Sequence, residues 1–237
     1  MTVFMGIRTD KYVFAAIDSR ITFKDCETGR RTRTEDFEKK IYGLKNYDIG
    51  FATAGTTLRG SSGERIGLSL TEKIDAYGNS KSYKDIIDDI VNEYKLAYVQ
   101  QVSDNSRTFL LIWGYDPEEK EPFLFKCERP NFEPQLIKKN ESLFIGAPQY
   151  KSNAIRIFND LRGNWVERIV KKIRKRDKIN LKKWAKDTFD AIKNNEAVEY
   201  PLTVMICRKG NKTGSIVYDK NSSVFEDDFN VKLKYME

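Results

Sequence analysis

The chain has 237 residues, 40% of them hydrophobic and 12% aromatic, with a net charge of +7 and no histidine. This is globular composition, with length for one substantial core, so a single domain over residues 1–237 is expected; the charge is too mild to name a partner. Without histidine, Ser-His-Asp and Cys-His triads and His-ligated metal sites are excluded, and a hydrolytic nucleophile would take its base from a lysine, a carboxylate or the α-amino group.

In chain order, Thr2–Ile7 and Tyr12–Ile17 read as strands joined by the polar turn Arg8–Lys11. The second, YVFAAI, is almost continuously apolar, as befits a strand covered on both faces. From Phe23 to Asp36 the chain is polar and charged, and Glu27-Thr28-Gly29-Arg30 looks like a hairpin tip. Lys39–Leu44 and Tyr47–Ala54 return to strand character. Thr56–Tyr77 has helical spacing, with Gly60 and Gly63 leaving its start open. The next helix is better marked: Ser82 is an N-cap candidate with Asp85 three residues on, and Ile86, Ile87, Ile90, Val91, Tyr94 and Ala97 form one stripe. Strands are expected at Thr108–Gly114, Pro122–Cys127, Gln135–Lys138 and Leu143–Ile145. Two or three helices fall between Gln149 and Lys193, and the tail returns to strands at Leu202–Cys207 and Ser215–Tyr218. Strands, two helices, strands, helices, strands favour an α+β fold: two packed antiparallel sheets with helices on both outer faces, a four-layer αββα sandwich.

Cys26, Cys127 and Cys207 are scattered and odd in number, matching neither a disulfide framework nor a zinc site. A reduced, cytoplasmic setting is the default, with no cofactor and no metal expected. No stretch reaches the roughly 18 to 20 apolar residues of a membrane helix, and the first residues lack a secretory-signal pattern. No phosphate-binding loop, dinucleotide fingerprint or calcium loop is present, so any unfolding would need a separate ATPase.

Three motifs stand in register over the first 60 or so residues: Thr2 with Gly6-Ile7 and Ala15-Ala16-Ile17-Asp18-Ser19-Arg20; Lys40-Ile41; and Ala54-Gly55 before the first helix. In these the chain resembles the proteasome β-subunits and the related peptidase of the bacterial two-component ATP-dependent protease, both N-terminal nucleophile hydrolases. The resemblance implies that fold, a threonine-type peptidase activity on peptide or unfolded protein, and a homo-oligomeric ring. It implies catalytic roles for Thr2, Asp18, Lys40 and Gly55, and a substrate pocket near Ile21, Glu38 and Thr53. Thr2, once N-terminal, would carry both the hydroxyl nucleophile and an α-amine of pKa about 8 able to act as base. Threonine is small enough for the preceding methionine to be trimmed. Lys40 would stand beside the hydroxyl, Asp18 would hold Lys40, and the Gly55 N–H would face an oxyanion. Glu38, two residues before Lys40, would favour a cationic substrate side chain. Lys39 is the rival for the lysine role; in a strand it points to the opposite face from Lys40.

The sequence also departs from that pattern. Ala147, in IGAPQY, stands where active members carry a serine that holds the amine. In KNNEAVEYP the expected aspartate falls near Asn194 and a second serine near Ala197, with Asn194, Asn195 or Glu196 as substitutes. A catalytically silent ring subunit is therefore the second reading. Nucleic-acid binding is a remote third, resting on WVERIVKKIRKRDKINLKKW, where Trp165, Val166, Ile169, Val170 and Ile173 oppose Arg168, Lys171, Lys172, Arg174, Lys175 and Arg176.

Overall fold

The computed structural model describes residues 2–24, 30–35, 40–55, 58–59, 64–101, 108–146, 150–158, 181–192 and 202–217. Among these residues, twelve strands run in chain order: β1 Phe4–Arg8, β2 Tyr12–Asp18, β3 Ile21–Lys24, β4 Arg31–Glu35, β5 Ile41–Gly43, β6 Ile49–Ala54, β7 Phe109–Asp116, β8 Glu121–Glu128, β9 Glu133–Leu136, β10 Ser142–Ile145, β11 Leu202–Arg208 and β12 Asn211–Val217. Helices α1 (Ile66–Asp75) and α2 (Tyr83–Gln101) precede β7; helical residues 150–158 (α3) and α4 (Leu181–Ile192) precede β11. Every described strand pairing is antiparallel. One five-stranded sheet has the order β10-β1-β2-β11-β12, the other β5-β6-β7-β8-β9, and β3 and β4 form a separate ribbon.

Three cores stack through the molecule, and the alternation of side chains along each strand feeds them. Phe14 and Ala16 of β2 face outward onto Ala154, Phe158, Trp184 and Phe189 of α3 and α4. Val13, Ala15 and Ile17 of the same strand face inward, where they meet Ala52, Leu111 and Trp113 of the second sheet. The outer face of that sheet, with Phe51, Leu110 and Ile112, packs on Ile66, Leu70 and Ile74 of α1 and Ile86, Ile90 and Tyr94 of α2. The layers are therefore helix, sheet, sheet, helix. The unbroken apolar run of β2 follows from its place in the middle of one sheet, wetted on neither face.

The sheets approach closely where side chains are small. A Cβ on Gly50 would lie 2.4 Å from Met205 Sδ and 2.8 Å from Trp113 Cε2, so glycine leaves the space that the indole fills. The far end is tied by Lys212 of β12, whose ammonium donates to the carbonyls of Leu44 and Tyr47 in the turn between β5 and β6.

Element boundaries differ from the sequence reading in two places that bear on function. Helix α1 begins at Ile66, not near Thr56. Leu58 is buried in the same core, but from a loop, where its carbonyl accepts the Ile66 N–H at 3.1 Å. Strand β5 is Ile41–Gly43, shorter than Lys39–Leu44, so Lys40 is the residue that enters the strand. The hairpin tip expected at Glu27–Arg30 lies mostly outside the described residues, but its flanks β3 and β4 do pair, with Ile21 opposite Glu35.

Candidate active site

The end of the sandwich where β1 and β5 begin gathers the side chains of Thr2, Asp18 and Lys40, with Ser19 buried beside Asp18. Asp18 is the last residue of β2 and is fully buried; Lys40 is 7% exposed. The Lys40 ammonium donates to Asp18 Oδ2 at 2.8 Å and to Thr2 Oγ1 at 3.5 Å. The Val3 N–H donates to Asp18 Oδ1 at 2.8 Å, and the Arg20 N–H to Oδ2 at 3.1 Å. Asp18 is thus held by the backbone on both sides of the β1–β2 pair and presents its remaining capacity to Lys40. Thr2 and Asp18 come from one sheet and Lys40 from the entry to the other, so packing of the two sheets is what brings them together.

Burial pushes the Asp18 carboxyl above the ordinary carboxylate value, while the Lys40 charge and the hydrogen bonds from Lys40 and Val3 pull it back. Removing either partner of such a buried pair strands a charge, at a typical cost of about 3–5 kcal/mol. Chemically, the arrangement offers a cation held beside a half-buried threonine hydroxyl.

The other sequence candidates are placed as follows. Gly55 follows β6 directly and has φ 113°, a left-handed value that disfavours any residue with a Cβ. Thr53 lies on β6, on the same face as Phe51, and hydrogen-bonds the hydroxyl of the buried Tyr94 of α2. Ile21 opens β3. Glu38, Lys39, Ala147, Asn194, Asn195, Glu196 and Ala197 lie outside the described residues, as do Trp165 to Arg176 of the basic run. The run's last residue, Trp184, is described: it is buried, and its Nε1–H donates to the Ala154 carbonyl at 3.1 Å.

Sequence reasoning did not single out the Tyr94 hydroxyl, which was one of an apolar helical stripe, or Ser19, which was one letter of a motif. Ser19 is buried with an unpartnered Oγ. The signal that could have found it is strand register, which places it across from Thr2.

Among the described residues no cluster of three or more His, Cys, Asp or Glu side chains could hold a metal ion, and no helix is long and apolar enough to cross a membrane.

No protein-family profile matches the chain, and no curated protein sequence does. Solved structures do match. The chain is similar to the Gly-1 mutant of Anbu from Hyphomicrobium sp. strain MC1, with a TM-score of 0.62 and 12% identity over 94% of this chain and 90% of that one. At that identity the likeness is one of fold. It agrees with the α+β sandwich of two antiparallel sheets described above.

Proposed function

We propose that the chain is a threonine-type endopeptidase subunit, with Thr2 as nucleophile once it becomes the N-terminal residue. The observation that carries this reading is the Lys40 ammonium held by buried Asp18 at 2.8 Å and lying 3.5 Å from Thr2 Oγ1. In the proposed reaction the freed α-amine takes the hydroxyl proton and Oγ1 attacks a peptide carbonyl; the tetrahedral intermediate then collapses, the peptide C–N bond breaks, and the α-ammonium passes its proton to the departing amine, leaving an ester on Thr2. Lys40 stabilises the developing alkoxide, Asp18 orients Lys40, and the Gly55 N–H receives the oxyanion. Water then hydrolyses the ester and restores Thr2.

The resemblance also supports a homo-oligomeric ring that encloses this site, acting on peptide or unfolded protein, with a separate ATPase where unfolding is required. Ile21, Glu38 and Thr53 are proposed to line the pocket, with Glu38 favouring a cationic side chain. A fluorogenic peptide panel tests that: best cleavage after basic residues, weakened by Glu38→Gln, is expected, and preference for acidic residues indifferent to Glu38→Gln contradicts it.

Hydrolysis of such peptides by protein with Thr2 at its N-terminus, abolished in Thr2→Ala and partly kept in Thr2→Ser, is the expected result. Equal hydrolysis by Thr2→Ala defeats the reading. The second reading, a silent ring subunit, is favoured by Ala147 and Ala197, which lack the hydroxyls expected there; a ring that assembles and never hydrolyses would establish it.

A further inference from the structure

Ser19 carries a hydroxyl that the site described above does not use. The residue is 2% exposed, and its Oγ is one of few buried side-chain atoms among the described residues that meet no hydrogen-bond partner. Such groups are costly and rare in native interiors. Strand register says what this one faces. Phe4 pairs with Ile17, and the Asp18 N–H donates to the Val3 carbonyl at 3.2 Å, so the ladder continues past the last assigned strand residue. Carried one step further, beyond the assigned strand residues, the same register sets Thr2 opposite Ser19.

Opposed residues of an antiparallel ladder project to the same face, with Cβ atoms about 4.5–5.5 Å apart. The backbone bond between Asp18 and Val3 makes the next pair a non-hydrogen-bonded one, the kind whose side chains lie closer. The shared face is the inner one. Phe4 and Ile17, two residues from Thr2 and Ser19 on their strands, both belong to the core between the sheets. Lys40 reaches Thr2 from the facing sheet.

We propose that Ser19 is a second hydrogen-bond donor to the Thr2 hydroxyl. Rotation about its Cα–Cβ bond turns the Ser19 O–H toward Thr2 Oγ1, from the β2 flank, while Lys40 donates from the opposing sheet. Two donors fix the threonine rotamer and share the negative charge that grows on Oγ1 as its proton leaves for the base. The inference rests on Thr2 being the nucleophile.

The test uses the full chain with Thr2 at its N-terminus, and reads kcat and KM on a fluorogenic peptide together with the rate at which a threonine-directed electrophile modifies Thr2. Ser19→Ala is expected to lower kcat and the modification rate about tenfold, the effect of one lost hydrogen bond to a charged group, with KM unchanged. Ser19→Thr, which keeps the hydroxyl, is expected to recover most of the rate. If Ser19→Ala lowers the thermal midpoint enough to prevent the assay, Ser19→Cys keeps the shape with a weak donor and is expected to show the same loss. A parent-like kcat in Ser19→Ala, or in Ser19→Cys where it replaces it, overturns the proposal while leaving Thr2 as nucleophile. So does an equal loss in Ser19→Thr and Ser19→Ala, which would mark a packing effect. A parent protein that neither cleaves nor is modified overturns the peptidase reading, and the role of Ser19 with it.

Discussion

Lys40 and Asp18 are buried together, with the ammonium 2.8 Å from the carboxylate. Lys40→Ala is therefore expected to reduce turnover about 10² to 10³-fold, the usual effect of deleting one stabilising donor at a developing anion. Acid provides an independent probe. Burial favours the neutral form of Asp18, so in the folded chain this carboxyl takes its proton at a pH above its unfolded value of about 3.9. Between those two values the folded state binds more protons at this group than the unfolded state, so its contribution to stability grows as the pH falls. The carboxylate that orients Lys40 is lost over the same window. Below the pH at which the α-amine is protonated, Thr2 modification by an electrophile should show a further acid limb from Asp18 while circular dichroism still reports a folded chain; loss of that limb only together with unfolding would contradict this role of Asp18. Thr2, Asp18 and Lys40 were singled out by the family resemblance, and they stand together at the entry to β1, the end of β2 and the entry to β5. Lys40 meets both Asp18 and Thr2, while Lys39, the alternative, lies outside the described residues. Ser19 and the Tyr94–Thr53 pair were not legible, because cross-strand register and helix-to-sheet contacts are tertiary facts.

Secondary structure was legible where local chemistry sets a boundary. Ser82 accepts the Asp85 N–H at 3.1 Å and Asp85 Oδ2 accepts the Ser82 N–H at 3.3 Å, a reciprocal cap that starts α2 where the sequence suggests. Ser82→Ala is expected to cost about 1 kcal/mol in denaturant unfolding. Helix α1 had no such mark: its N-cap, Arg65, makes no side-chain cap bond, and the apolar spacing of Leu58 suggested a helix where the chain runs as a loop into the same core. Gly50 belongs to the same class of hidden constraint. In sequence it is one residue of an apolar strand, yet its missing Cβ seats Trp113 and Met205 between the sheets. Gly50→Ala should lower stability by about 1–3 kcal/mol through overpacking, read from the midpoint of urea unfolding, with no change in the N-terminal residue. An unchanged midpoint would mean that Met205 moves aside freely.

At the scale of the whole molecule, the order of elements was enough to give four layers, because a run of strands buried on both faces requires a second sheet on one side and helices on the other. Sheet order was not legible: β11 inserting beside β2, far away in sequence, is decided by which apolar faces fit once both sheets exist. The proposed ring belongs to this scale. Light scattering coupled to size exclusion should give a closed oligomer, and a strict monomer at micromolar concentration would count against it. Everything proposed for the site depends on Thr2, freed at the N-terminus, being the nucleophile. Intact and peptide mass spectrometry of the protein after reaction with an N-terminal-threonine-directed electrophile tests it most directly. One adduct per chain on an N-terminal Thr2, absent in Thr2→Ala and slowed in Lys40→Ala, is the predicted result; a protein with free Thr2 that takes no adduct, or takes it equally well elsewhere, would contradict it.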